Sequence, residues 1–216
     1  MSGLTISAFI RDLRRLDWPQ TSNPYHAEGP IRKPANLRAE HLRIYLESFL
    51  ERGCKVMLIA EAFGYRGGRV TGVPLTSERI ILENERFRRE FPRLATAYTP
   101  CCEVDAPQGE ATASIVWKLL EQVSVGQAPL CWNVVPAHPY NEERGIWSNR
   151  PPKQSEVTAG AIFAKRLIAI MKPEIVVAVG RHAERGLAEA GITAIAVRHP
   201  SNGGARQFTN QMQDIL

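Results

Sequence analysis

Four short apolar runs, Lys55–Ala60, Leu130–Val135, Glu174–Val179 and Ile192–Val197, alternate along the chain with longer segments of helical character. None shows the apolar-polar alternation of a strand with one wet face, so each reads as a strand buried on both sides. Helical patterns over Ser77–Phe91, Ala113–Val123, Ser155–Met171 and Arg181–Ala190 separate or follow them. A further helix over Leu37–Arg52, with Asn36 as its N-cap, places Leu42, Tyr45, Leu46, Phe49 and Leu50 on one face. Pro173 stops one of these helices and Gly191 closes another. Parallel strands joined by crossover helices predict an α/β fold, a three-layer αβα sandwich with a central four-stranded, mainly parallel sheet. In such a fold ligands bind beyond the carboxyl ends of the strands, which directs attention to the loops after the apolar runs.

The 216 residues suffice for one well-buried core. Residues 1–36 form an N-terminal unit, a short basic helix over Ile6–Leu16 and a strap containing Pro19, Pro24, Pro30 and Pro34, and 37–216 form the α/β domain. No run approaches the roughly 18 apolar residues of a membrane span. The N-terminus carries charges where a secretory signal needs its apolar run, so a cytoplasmic protein without membrane partners is expected. The sequence offers no oligomerisation signal, and a monomer is expected. A net charge of +5 admits nucleic acid as a partner and equally suits a merely soluble basic protein. Cys54, Cys101, Cys102 and Cys131 form no C-x-x-C pair, so reduced structural thiols are expected, with no metal or other cofactor.

Three loops carry candidate chemistry. Ala60-Glu61-Ala62-Phe63-Gly64-Tyr65 follows the first strand and continues into a glycine- and arginine-rich stretch; alone, it is equally a generic strand-to-helix turn. Asn133 lies within an apolar strand, where its amide is costly unless paired, either inside the core or with a ligand edge that needs one donor and one acceptor. Arg198-His199-Pro200-Ser201-Asn202-Gly203-Gly204 ends the last strand, and its small residues offer backbone N–H groups to a phosphate; the bland alternative is an ordinary turn.

As a set, these segments resemble the uracil-DNA glycosylase superfamily, most closely its families 4 and 5. Ala60-Glu61-Ala62-Phe63-Gly64 is similar to the Gly-Glu-Ala-Pro-Gly loop of family 4, and Gly72-Val73-Pro74-Leu75-Thr76 to its Gly-x-Pro-Phe-Val. Asn133-Val134-Val135, Asn149-Arg150-Pro151-Pro152, Glu156, Lys172-Pro173 and His199-Pro200-Ser201 complete a likeness running from about residue 53 to 208. Three positions depart from the pattern. The cysteines that hold an iron–sulfur cluster in those families have no counterpart, with Gly160 or Ala161 in the region of one ligand. Leu75 stands where the family has a base-stacking Phe, and Ala62 where other branches have a water-activating Asp or Asn.

The resemblance implies hydrolysis of the N-glycosidic bond of uracil or another deaminated base in DNA, the target being extruded from the stack. Asn133 would read the base edge, and His199 would donate to the developing base anion. Ala62, Phe63, Gly64, Tyr65 and Leu75 would shape the base pocket. Glu61, or alternatively Glu78, would activate water. Ser201, Asn202 and Gly203, with Arg66, Arg69, Arg198 and Arg206, would hold DNA phosphates. Two other readings stay open. One is a non-catalytic or altered-specificity relative that binds DNA damage; the other is a small-molecule hydrolase on the same fold.

Overall fold

A computed structural model describes residues 5–26, 32–101, 106–123 and 126–216. Four parallel strands form the central sheet: β2 (Val56–Ala62), β3 (Leu130–Val135), β5 (Ile175–Val179) and β6 (Ile195–Val197), in the order β3-β2-β5-β6. Met57, Leu58, Ile59 and Ala60 are all buried although successive side chains point to opposite faces. Both faces of the sheet are therefore covered, as the apolar runs require. A two-stranded antiparallel ribbon pairs β1 (Thr21–Ser22) with β4 (His138–Pro139).

The helices differ from the sequence pattern where local side chains compete with it. Over 77–91 the pattern predicts one helix. The chain instead forms α4 (Glu78–Glu83) and α5 (Glu85–Glu90), preceded by the single turn α3 (Gly68–Thr71) and followed by α6 (Pro92–Ala97). Asn84 breaks the pattern, because its backbone is extended and its side-chain oxygen accepts the Phe87 N–H at 2.8 Å, capping the second helix. Helix α2 runs from Arg32 to Arg52, so Asn36 lies inside it rather than at its cap; Pro34 is tolerated because first-turn N–H groups need no helical partner. Two long helices, α7 (Ala111–Gln122) and α8 (Gln154–Met171), lie close to their expected bounds, as does α9 (Arg181–Glu189). Strand β6 is half its expected length and pairs with β5 over three residues.

One backbone donor on the outer edge of β3 is capped by a side chain. The Cys131 N–H donates to the buried Tyr45 hydroxyl at 2.7 Å, leaving no open donor there for another strand. At the N-terminus, α1 (Ile6–Leu13) contributes Ile6, Phe9, Ile10 and Leu13 to the main hydrophobic core, and Phe9 meets the Trp132 ring at 5.4 Å. The strap after it is tied down as well: Tyr25 is fully buried and donates to Gly72 O at 2.7 Å. Residues 27–31 of the strap lie outside the described residues. The last helix, α10 (Ala205–Gln213), follows the His199 loop.

Candidate active site

Four strands end at one side of the sheet, and each delivers a polar side chain to a cleft of about 1040 Å³. In sheet order these are Asn133 on β3, Glu61 on β2, His182 just after β5 and His199 just after β6. Three strand spacings separate the outer two by roughly 14 Å of backbone.

Asn133 is 2% exposed, and its side-chain oxygen is buried without a hydrogen-bond partner. An unpaired buried amide oxygen costs about 1–3 kcal/mol, so its presence at a cleft is a reason to expect a ligand group opposite it.

His199 is held by its own loop. The Ser201 N–H donates to Nδ1 at 3.1 Å, which makes Nδ1 the acceptor and leaves the ring proton on Nε2. The Ser201 hydroxyl lies 2.7 Å from the same nitrogen. Burial lowers the imidazole pKa below its ordinary value, and the neighbouring Arg198 charge lowers it further. The neutral ring is thus a preset N–H donor. Gly180, with φ +85 and ψ 164, lets the chain pass close beneath it: a Cβ there would stand 3.0 Å from the His199 Cβ.

Glu61 and Glu78 separate clearly. Glu61 lines the cleft and accepts no hydrogen bond from any described residue. Burial raises its pKa, and the positive field of His182 opposes that rise. Glu78 is 3% exposed and sits outside the cleft, where its carboxylate accepts the Tyr98 hydroxyl at 3.3 Å and the Gln108 N–H at 3.2 Å. Glu78 is a first-turn residue of α4 whose carboxylate joins Tyr98 to Gln108.

The base-pocket candidates Ala62, Phe63, Gly64 and Leu75 all line the cleft. Leu75 is nearly buried and adopts φ +49, a left-handed conformation unusual for a large residue, with its carbonyl accepting the Trp117 indole N–H at 3.1 Å. Tyr65 lies just beyond the lining, its N–H donating to Asn149 Oδ1 at 3.3 Å. Of the phosphate candidates, Arg198, Ser201 and Asn202 border the cleft. Gly203 and Arg206 are exposed beside it, and Arg66 is exposed over the Tyr65 ring. Arg69 does not reach the surface. It is 3% exposed, its Nε donates to Tyr65 O at 3.0 Å, and burial brings its pKa down to about 10. It is a buried cation lying under the Trp147 ring.

Several lining residues escaped the sequence reading: His182, Arg181, Glu110, Asn149 and Gln207. His182 had a positional signal, since it opens the helix after a strand end, where the carboxyl-end rule would have pointed. Glu110 gave no local signal, because it reaches the cleft only as the cap of α7, accepting the Ala113 N–H at 2.6 Å.

The residues do not suit an iron–sulfur cluster. Cys54, Cys101 and Cys131 are free and buried, and no group of three or more His, Cys, Asp or Glu side chains among the described residues could hold a metal. At Gly160, a Cβ would stand 2.1 Å from the Val134 carbonyl oxygen, so that position has no room for a ligand side chain. Cys102 lies outside the described residues.

A doubly covered parallel sheet with an amide, a carboxylate and two imidazoles lining a cleft at its carboxyl side defines a three-layer α/β protein with a polar cleft at the strand ends. Residues 48–214 match the sequence model of the uracil DNA glycosylase superfamily, and the chain belongs to that superfamily. Among solved structures, the wild-type SMUG2 of Pedobacter heparinus is similar, with a TM-score of 0.63 over 100% of this chain and 97% of that one. The identity between them is 8%, so this likeness is one of fold. Comparison with curated proteins gives no match.

Proposed function

We propose that the protein hydrolyses the N-glycosidic bond of uracil or another deaminated base presented from DNA. The observation that carries this reading is the buried, unpaired side-chain oxygen of Asn133 in a cleft that His199 also lines. A pyrimidine edge offers the N–H donor that this oxygen lacks and, beside it, a carbonyl for the amide N–H. As the glycosidic bond breaks, negative charge gathers on the base and positive character on the sugar. The His199 Nε2–H is set to donate to that anion, and being neutral beforehand it carries no charge that would bind competing anions. Glu61, which accepts no hydrogen bond from any described residue, orients water toward the sugar carbon and, once deprotonated, offsets its charge. Ser201, Asn202 and the exposed Arg198 and Arg206 hold the flanking phosphates.

The test is incubation with single- and double-stranded oligonucleotides carrying uracil, hypoxanthine or xanthine, followed by alkali. Strand breaks at the lesion are expected. Asn133→Ala and His199→Ala should each lower the single-turnover rate by about 10²–10³, the loss typical of one preorganised donor. Full rate in either variant refutes that residue's role. Binding without strand breaks replaces the hydrolytic reading with that of a damage-binding protein, and neither binding nor breaks refutes the DNA reading. Binding should also weaken steeply with salt, while a flat salt response would remove phosphate contacts from the picture.

A further inference from the structure

Trp147 is 46% exposed, whereas Trp117 and Trp132 are fully buried. It sits on the loop between β4 and the cleft wall, and that loop is firmly built. The Asn141 N–H donates to Ser148 Oγ at 3.1 Å, Ser148 Oγ donates to Gly145 O at 2.7 Å, and the Arg144 N–H donates to Asn141 Oδ1 at 3.2 Å. Beneath it, the two ring nitrogens of buried His138 lie 2.9 Å from Phe63 O and 3.0 Å from Ile146 O. The backbone on both sides of Trp147 is thus fixed while its ring stands outward.

The indole is also oriented. The Arg69 guanidinium lies over one face, 4.5 Å from the ring centroid, and Tyr65 meets it edge-on at 6.5 Å with an interplanar angle of 90°. With that face covered by a cation, the exposure falls on the rest of the ring. Two residues further on, Asn149 lines the cleft and accepts the Tyr65 N–H, so the ring stands beside the mouth. Exposed Arg66 stacks on Tyr65 at 5.2 Å and adds positive charge next to it. A rigid aromatic plane backed by one cation and flanked by another is the surface on which unpaired bases stack while their phosphates meet the cations.

We propose that Trp147 is the stacking platform for an unpaired nucleobase next to the nucleotide that enters the cleft. This rests on the reading of the cleft as a site for a base in DNA. It extends recognition from the target nucleotide to its neighbour and makes single-stranded DNA a natural ligand, because a base in an intact duplex has both faces occupied.

The test uses a single-stranded oligonucleotide with a tetrahydrofuran abasic analogue at the target position, which is not cleaved, and follows intrinsic tryptophan fluorescence. Binding should quench the wild-type protein, and Trp147→Phe should lose most of that quench while keeping affinity within about threefold. Trp147→Ala should bind about 5- to 150-fold more weakly, the range for loss of one base–aromatic stack. An unchanged quench in Trp147→Phe overturns the proposal, as does unchanged affinity in Trp147→Ala. If the alanine variant fails to fold, the phenylalanine variant still decides. Uracil release by the wild type together with an unchanged quench in Trp147→Phe would sink the platform alone. A Trp147-dependent quench without uracil release would instead sink the catalytic reading and leave the platform standing.

Discussion

Replacing Gly180 by alanine should damage stability and chemistry together, for reasons that the geometry separates. Gly180 has φ +85 and ψ 164, a region that residues with a Cβ essentially never occupy, and forcing one into it costs about 1–3 kcal/mol. For a chain of this size each kcal/mol lowers the melting temperature by about 2–4 °C, so a fall of roughly 2–12 °C is expected. The new methyl would also stand 3.0 Å from the His199 Cβ and 3.4 Å from its Cδ2. His199 has little room to give. The Gly180 N–H is bonded to Val197 O at 2.9 Å, and the ring is tethered through Nδ1 to Ser201. The ring must tilt, and an ångström of misplacement costs on the order of 10²-fold in rate. Thermal denaturation and single-turnover release of uracil from an oligonucleotide measure the two effects. In His199→Ala the ring is already gone, so adding Gly180→Ala should lower the rate no further, although the melting temperature should still drop. Gly180→Ala with unchanged melting and full rate would refute both the strain argument and the placement of His199.

Glu61→Gln should abolish the ascending limb of the pH–rate profile. That limb lies above the ordinary glutamate range because burial raises the Glu61 pKa; His182→Gln should move it further up by removing the opposing field, and an unmoved limb would dismiss His182. Glu156→Gln should destabilise by about 3 kcal/mol, the low end for removing one partner of a buried pair, since Arg150 and Glu156 are 15% and 6% exposed. Burial alone would raise the Glu156 pKa, but the Arg150 and Lys153 hydrogen bonds outweigh it and leave the pKa lowered. Its stabilisation is therefore full above the unfolded-state pKa and lost as pH falls through the depressed folded value, so acid melts of the variant should be flatter. Gly160→Ala puts a methyl 2.1 Å from a backbone carbonyl and should cost at least the roughly 1–3 kcal/mol of overpacking. Gly109→Ala, whose nearest neighbour is a flexible Arg79 carbon at 3.6 Å, is the control and should melt within a degree or two of the parent.

The sheet was legible because each of its strands is a mainly apolar run without the alternation of a half-exposed strand. The helices over 77–97 were not, because Asn84 and Pro92 each start a helix within a stretch whose apolar spacing looks continuous. At the cleft, Glu61 and His199 lie at or just after strand ends, where the carboxyl-end rule points, and Asn133 stands out as the one amide in an otherwise apolar strand. Glu78 is acidic at a plausible distance along the chain, yet the turn through Thr76 and Ser77 directs its carboxylate to Tyr98 and Gln108. Arginines in a glycine-rich loop look solvated, and only packing reveals that Arg69 lies under Trp147. Trp147 itself carried no signal in one dimension, since exposure of an aromatic ring is a tertiary fact.

The field of His182 bears on Glu61, whereas the charge that bears on His199 is that of Arg198, although β5 adjoins the strands of both. Burial acts on the whole floor of the cleft and disfavours charge there, whichever side chain bears it. At His199 this serves the proposed chemistry, because a neutral ring with its proton on Nε2 is the donor that a developing base anion requires. At Glu61 the same burial works against it, because a protonated acid neither orients water nor offsets cationic character at the sugar. One cleft must therefore hold a neutral imidazole at its edge and a carboxylate at its centre, and uniform desolvation supplies only the first. Strand β5 adjoins β2, so His182 in the first turn of α9 acts on Glu61 from the neighbouring strand end, and its field opposes the rise locally. Removing His182 should thus shift the Glu61 limb while leaving the effect of His199→Ala on rate above that limb unchanged. Measuring the pH–rate profiles of both single variants and the double variant tests this separation, and coupling between the two histidines would refute it.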